Sequence, residues 1–232
     1  MFGVGILGPI ILMVVIGILS YTVQSKFKKK FKKYSETPLS TGMTGKEVAE
    51  KMLRDNGIHD VTIKAGEGML TDHYNPMNKT VSLSKGVYNG KSIAAAAIAA
   101  HECGHAVQHA VNYSFLQFRS ALVPVVSASN QFVPFLLLGG IFLIETLPFL
   151  FLGGIILFAA STLFSFITLP VEYDATSRGL KWLDHANITD PSEHTMARDA
   201  LNAAAQTYVV AALSSLLTLL YYVMIFMGLS ED

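Results

Sequence analysis

The chain has 232 residues, about half of them apolar, and a single cysteine, which excludes an internal disulfide and with it a small disulfide-stapled scaffold. Seventeen basic and seventeen acidic side chains cancel to a net charge of zero, but that balance hides a strong asymmetry along the chain.

Residues 2–23 carry no charge and, at 1.5 Å per residue, are long enough to cross a hydrocarbon core of about 30 Å as a helix. A cleaved signal peptide would have its basic segment before the apolar run. Here Lys26, Lys28, Lys29, Lys30, Lys32 and Lys33 follow it, so the segment reads as a transmembrane helix. The lysine run is chiefly a topology anchor and secondarily a place for anionic headgroups. Residues 35–45, polar and broken by Pro38 and Gly42, link the span to a folded part. Thr44 with Glu47 forms a capping-box pattern that opens a helix through Asn56, with Gly57 as its stop.

Short strands are expected at 61–63, 70–74 and 80–83, the last two joined by a turn at 75–78. Such a hairpin either pairs with a substrate backbone by strand addition or only packs on the following helix. That helix starts in the alanine-rich run after Ser92 and carries His101-Glu102-Cys103-Gly104-His105.

Three further spans are expected at 122–144, 147–169 and 203–229, the first of them weakened by Pro124, Ser127, Ser129, Asn130 and Gln131. Pro134 to Ile141 recurs almost unchanged as Pro148 to Ile155, and the glycine pairs 139–140 and 153–154 would let two antiparallel membrane helices approach closely. Asp190-Pro191-Ser192-Glu193 combines an N-cap, a proline at the first helical position and a glutamate at the third. It opens a helix that can run on into the last span.

All seventeen lysines and arginines lie in two segments, fourteen between Lys26 and Arg119 and three at Arg178, Lys181 and Arg198. By the enrichment of such residues in cytoplasmic loops, both termini are expected outside and the His-Glu motif inside, in a multi-pass membrane protein. The fold class that follows is mainly α. About four transmembrane helices form a bundle with a small cytosolic α+β, zincin-like part holding a short sheet and the metal-binding helix. The divisions are 1–25 (first span), 26–119 (cytosolic catalytic part) and 120–232 (bundle, with a cytosolic loop at 170–202).

On a helix, His101 and His105 lie one above the other and can share one zinc ion. Glu102, about 100° round, can take a proton from water beside the metal. Gly104 costs about 1 kcal/mol against alanine in a helix interior, so something is expected to pack tightly there. Cys103 points away and reads as a small buried hydrophobe. A catalytic zinc site needs a third protein ligand. His109 is eight residues, about 12 Å, from His101 and cannot share its ion. Glu172 directly follows the third span on the same membrane side and is the better candidate, with Pro170 placing it in the first turn of a helix. A carboxylate favoured there by the helix dipole is the alternative reading. Asp174 could orient a histidine through its free ring N–H. For an electrophilic partner to the reacting carbonyl, His73, Tyr173, Arg178 and His185 are candidates by residue type alone.

Over nearly its whole length the chain resembles the bacterial integral-membrane neutral zinc metallopeptidases of the YugP type. The resemblance is carried by residues 70–76 (LTDHYNP), 87–93 (VYNGKSI), 99–109 (AAHECGHAVQH) and 169–175 (LPVEYDA). It implies a peptidase binding one Zn2+ through His101, His105 and Glu172, with Glu102 as catalytic base. A more distant likeness is to the membrane-embedded Ste24 and HtpX peptidases, in which an aspartate follows the ligand glutamate by four residues. Here that position is Thr176. The expected partners are a protein or peptide substrate, the lipid bilayer and either membrane proteins or further copies of the chain, with no nucleic acid. Membrane-protein quality control is the candidate role. The rival function is a zinc-containing membrane adaptor without catalysis, which would not need Glu102. A transporter is disfavoured because no ionisable residue lies inside a predicted span.

Overall fold

A computed structural model describes residues 7–228. Positions 2–6 of the first predicted span, Leu229 of the last and the acidic tail Glu231-Asp232 lie outside the described residues. In chain order the elements are α1 (Leu7–Ser35), α2 (Gly45–Asp55), β1 (Thr62–Gly66), β2 (His73–Asn75), β3 (Thr80–Ser84), α3 (Lys85–Tyr88), α4 (Ile93–Ala110), α5 (Ser114–Phe142), α6 (Pro148–His185) and α7 (Pro191–Gly228). The architecture is mainly α with one small sheet. Four helices, α1, α5, α6 and α7, are long and apolar enough to cross a membrane.

The chain divides into two compact units. One comprises residues 1–23, 118–169 and 207–232, the other 24–117 and 170–206. We read the apolar segments of the first unit as the membrane-spanning part.

In the first unit, α5 and the N-terminal part of α6 form a hairpin around Val133, Leu137, Phe151 and Ile155. The repeated glycines explain its closeness. A Cβ on Gly140 would sit 2.5 Å from the Phe151 Cα, and one on Gly154 would sit 3.1 Å from the Leu137 backbone nitrogen. One glycine of each pair therefore sets the approach. Gly153 has nothing within 4 Å, and Gly139 only the Leu150 side chain. The polar residues of α5 are partly satisfied within the hairpin, since Ser161 donates to Asn130 Oδ1 at 2.7 Å and Ser129 is buried. Pro124 and Pro134 lie inside α5, each removing one backbone donor from the ladder.

The second unit is built around α4. Its alanines let neighbouring elements come close, and the helix is buried along most of its length against a core that includes Met52, Leu83, Ile93 and Leu183. The capping box at the start of α2 is present, with Thr44 Oγ1 accepting from Glu47 N and Glu47 Oε2 accepting from Thr44 N. Gly57, at φ 68°, follows the helix as its stop. Asp190 and Glu193 cap α7 by the same reciprocal pattern, and α7 runs unbroken from there. Glu193 also accepts from the backbone and hydroxyl of Ser40, so the segment after α1 is tied down.

The three strands form a sheet in the order β1-β3-β2, with β1 parallel and β2 antiparallel to β3. Two strand positions differ from expectation. The first extends to Gly66, and the second starts only at His73, because Gly68 and Leu70 take left-handed backbone conformations (φ 88° and 58°) that interrupt an extended chain. A third difference concerns Pro170. It lies inside α6, which continues without a break to His185, so Glu172 is a mid-helix residue and the helix-dipole account of it falls away.

Candidate metal centre

The centre lies within the second unit, where α4 crosses the C-terminal half of α6. Two glycines make the crossing close. A Cβ on Gly104 would meet the Ala175 carbonyl oxygen at 2.5 Å, and one on Gly179 would meet the Ala100 carbonyl oxygen at 2.9 Å. The tight packing expected at Gly104 is therefore the backbone of α6 itself, and the same contact brings Glu172 opposite the two histidines.

His101 Nε2 lies 3.3 Å and His105 Nε2 3.6 Å from Glu172 Oε2, with ligand atoms of all three residues within 4.8 Å of one another. The two imidazoles stand nearly perpendicular at 84°, ring centroids 4.8 Å apart. Tetrahedral zinc with bonds of about 2.0–2.1 Å to nitrogen and oxygen places its ligand atoms about 3.4 Å apart. The donor set and its spacing fit such an ion. Glu172 and His105 are buried, and His101 is nearly so.

Electrostatics hold the three together. Burial pushes the Glu172 carboxyl up, but the two imidazoles bonded to it hold it well below the usual carboxylate range. Burial draws the His105 imidazole down, and the facing Glu172 carboxylate more than offsets this, so it ends above its ordinary value.

The outer partners follow from donor and acceptor arithmetic. Gln108, fully buried, gives its amide nitrogen to Val171 O and to Asp174 Oδ2, both at 2.8 Å. Both of those atoms only accept, so the remaining amide oxygen must face His105 Nδ1, at 3.0 Å, and Nδ1 must carry the proton. With Nδ1 so engaged, Nε2 is the His105 nitrogen that faces Glu172. Asp174 is held in turn by Arg178 Nε at 2.6 Å, and the Arg178 guanidinium stacks over Tyr113. His101 Nδ1 faces Thr176 Oγ1 at 3.1 Å.

Glu102 is buried beside the histidines, at 8% exposure. Asp174 bonds neither histidine directly, acting on His105 through Gln108. Arg178 is engaged by Asp174. Tyr173 and His185 are exposed on α6, and exposed His73 bonds Thr71 O. None of these three is brought to the cluster by a hydrogen bond. The Tyr74 hydroxyl and His109 Nδ1 are hydrogen-bonded at 2.7 Å, joining β2 to α4, and burial pushes the Tyr74 phenol up to about 12, so it stays neutral. Cys103 is fully buried, its thiol directed at Ala49 O. Gln108 and Thr176 were not identified from sequence. The only signal for either was spacing, at i+3 from His105 and i+4 from Glu172.

A family model described as "Putative neutral zinc metallopeptidase" matches residues 9–227. The chain is 44% identical over 210 residues to the "Putative membrane protease YugP" of Bacillus subtilis (strain 168), an alignment covering 90% of this chain and 92% of that protein. No solved structure matches it. The chain belongs to the neutral zinc metallopeptidase family.

Proposed function

We propose that the protein is a membrane-embedded zinc metallopeptidase that hydrolyses peptide bonds of protein or peptide substrates at the cytoplasmic side of the bacterial cell membrane. The observation that carries this reading is the convergence of His101, His105 and Glu172 from two helices at separations suited to one ion. His101 and His105 bind through Nε2 and Glu172 through a carboxylate oxygen. Thr176 and Gln108 accept the Nδ1 protons and hold the rings in the ligating tautomer. Zinc bound there supplies Lewis acidity and lowers the pKa of water to about 7. Glu102 receives a proton from the attacking water on its carboxylate and passes it to the nitrogen of the leaving amine. Burial around these groups excludes bulk water and strengthens every charge interaction among them.

β2 lies at one edge of the sheet, and Tyr74 on it bonds His109, one turn beyond His105. That position suits a strand on which a substrate backbone is laid. The lysine and arginine distribution supports a cytoplasmic site with both termini outside. A cytoplasmic site in a membrane protein fits removal of damaged membrane proteins as the physiological role.

Peptidase assays of purified Glu102→Gln test the reading. Cleavage lost at full zinc occupancy is expected. Undiminished cleavage would overturn it, and an unaltered cellular phenotype of the same variant would favour a non-catalytic adaptor.

A further inference from the structure

The six-lysine run after the first apolar segment looks uniform in sequence, but the structure separates its members. Lys30 is ion-paired with Asp199 at 2.6 Å, and Lys33 lies over the Tyr34 ring. Lys28 and Lys32, one helical turn apart, instead line a groove of about 840 Å³ within the second unit, and Lys91 approaches the same groove from the start of α4. All three are exposed, and among the described residues none is within ion-pairing distance of a carboxylate. Glu36 is the one acidic residue of the lining.

The rest of the groove is largely apolar, with Phe31, Leu70 and Val87 in its walls. Leu70 is held there in a left-handed conformation, φ 58°, and is still 41% exposed. A leucine in that backbone region is uncommon, and its apolar side chain stays partly open to the groove. Gly86 also lines the groove and has nothing within 4 Å of the position a Cβ would take, so there is free space beside it.

We infer that this groove seats one anionic phospholipid, its phosphate among Lys28, Lys32 and Lys91 and its acyl chain along Phe31, Leu70 and Val87. Two features favour a lipid over other ligands. The lining joins Lys28 and Lys32, which have no carboxylate within ion-pairing distance, and Lys91, which also feels Glu47, to an apolar trough, and this matches an amphiphile with a single anionic head. Lys28 also follows Val23, the last apolar residue of the uncharged run, by only five positions, so the groove begins where a membrane interface is expected. The site is separate from the candidate metal centre and does not depend on catalysis.

The test uses the full-length protein in detergent, titrated with phosphatidylglycerol or phosphatidylcholine, with bound lipid counted by native mass spectrometry. One phosphatidylglycerol should bind preferentially. Lys28→Gln with Lys32→Gln should weaken it about 30-fold, at roughly five-fold per lysine. Lys26→Gln with Lys29→Gln removes the same charge outside the groove and should change binding by less than about three-fold. Gly86→Leu, which fills the apolar part and leaves every lysine in place, should also weaken it. Equal losses in the two lysine pairs, equal affinity for the two lipids, or unchanged binding in Gly86→Leu would each overturn the proposal. So would a photo-reactive side chain at position 86 that captured polypeptide instead of lipid.

Discussion

Replacing Gln108 by leucine isolates the part played by the outer hydrogen bonds, because the two side chains are similar in volume and only the polar groups are lost. Three bonds disappear together, those to His105 Nδ1, Val171 O and Asp174 Oδ2. Asp174 keeps Arg178. Val171 O belongs to a continuous helix and keeps its place in the helical ladder. The His105 Nδ1 proton, on a buried ring, is left without its acceptor. With a buried orphaned donor costing about 1–3 kcal/mol and each other lost bond about 1 kcal/mol, the metal-free protein should lose about 3–5 kcal/mol of stability. Loss of the group that fixes the tautomer should also weaken zinc binding 10–100-fold, equivalent to about 1.4–2.8 kcal/mol. Competition with a chromophoric chelator measures the second effect, and thermal unfolding of the metal-free form measures the first. Gln108→Glu makes the sharper comparison. It can still accept from His105, but it cannot donate to Val171 or Asp174 and sets a second carboxylate beside Asp174. It should therefore retain more zinc affinity than Gln108→Leu while being at least as unstable. Unchanged zinc affinity in a folded Gln108→Leu protein would refute the assignment of Gln108 as the residue that orients His105.

Gly104→Ala must push α4 away from α6, because its Cβ would lie 2.5 Å from the Ala175 carbonyl oxygen, so stability should fall by about 1–3 kcal/mol and zinc affinity with it. Gly153→Ala has open space and should leave the melting temperature within about 2 °C or raise it, at about 1 kcal/mol of helix propensity; equal effects at the two positions would contradict the close crossing. Burial pushes the Cys103 thiol well above its ordinary value and leaves it no solvent exposure, so iodoacetamide at pH 8 should modify it only after unfolding, as read by mass spectrometry. Rapid labelling of the native protein would show that α4 is not buried as described. In a Cys103→Ala background, a cysteine introduced at Glu145 should react with a membrane-impermeant maleimide on intact cells, and one at Lys181 only after lysis. The reverse pattern would invert the proposed topology.

Much of the fold was legible because it rests on local rules. The capping residues Thr44, Glu47, Asp190 and Glu193 mark helix starts through bonds made within four residues, and all four make them. The glycine repeat announced close packing of α5 and α6, and small residues serve that purpose between any two membrane helices. What was misread depended on context. Pro170 resembles a helix start because proline is favoured at that position, but in a long helix its missing N–H is one lost bond, which the flanking turns tolerate. Composition extends the second strand too far, because Leu70 and Thr71 are strand-like residues. The left-handed turn at Leu70 is invisible to a pattern that counts apolar and β-branched residues.

At the candidate site, the residues proposed to bind metal or move a proton stand out in the sequence, and those that only hydrogen-bond to them do not. His101, Glu102 and His105 stand out by helical spacing, and Glu172 by lying next to an apolar span, where a carboxylate needs a reason. Gln108 and Thr176 are common polar residues whose role appears only when α4 and α6 are laid together, 63 or more residues apart in the chain. The glycines at 104 and 179 set that contact. A helix carrying two histidines has no third candidate ligand of its own, and here the opposing helix comes near enough for Glu172 to face both rings. The same approach places Thr176 against His101, and Val171 and Asp174 against the Gln108 that faces His105. The candidate cluster and its supports are therefore one packing event. A substitution that loosens the helix crossing should weaken metal binding even where it touches no ligand.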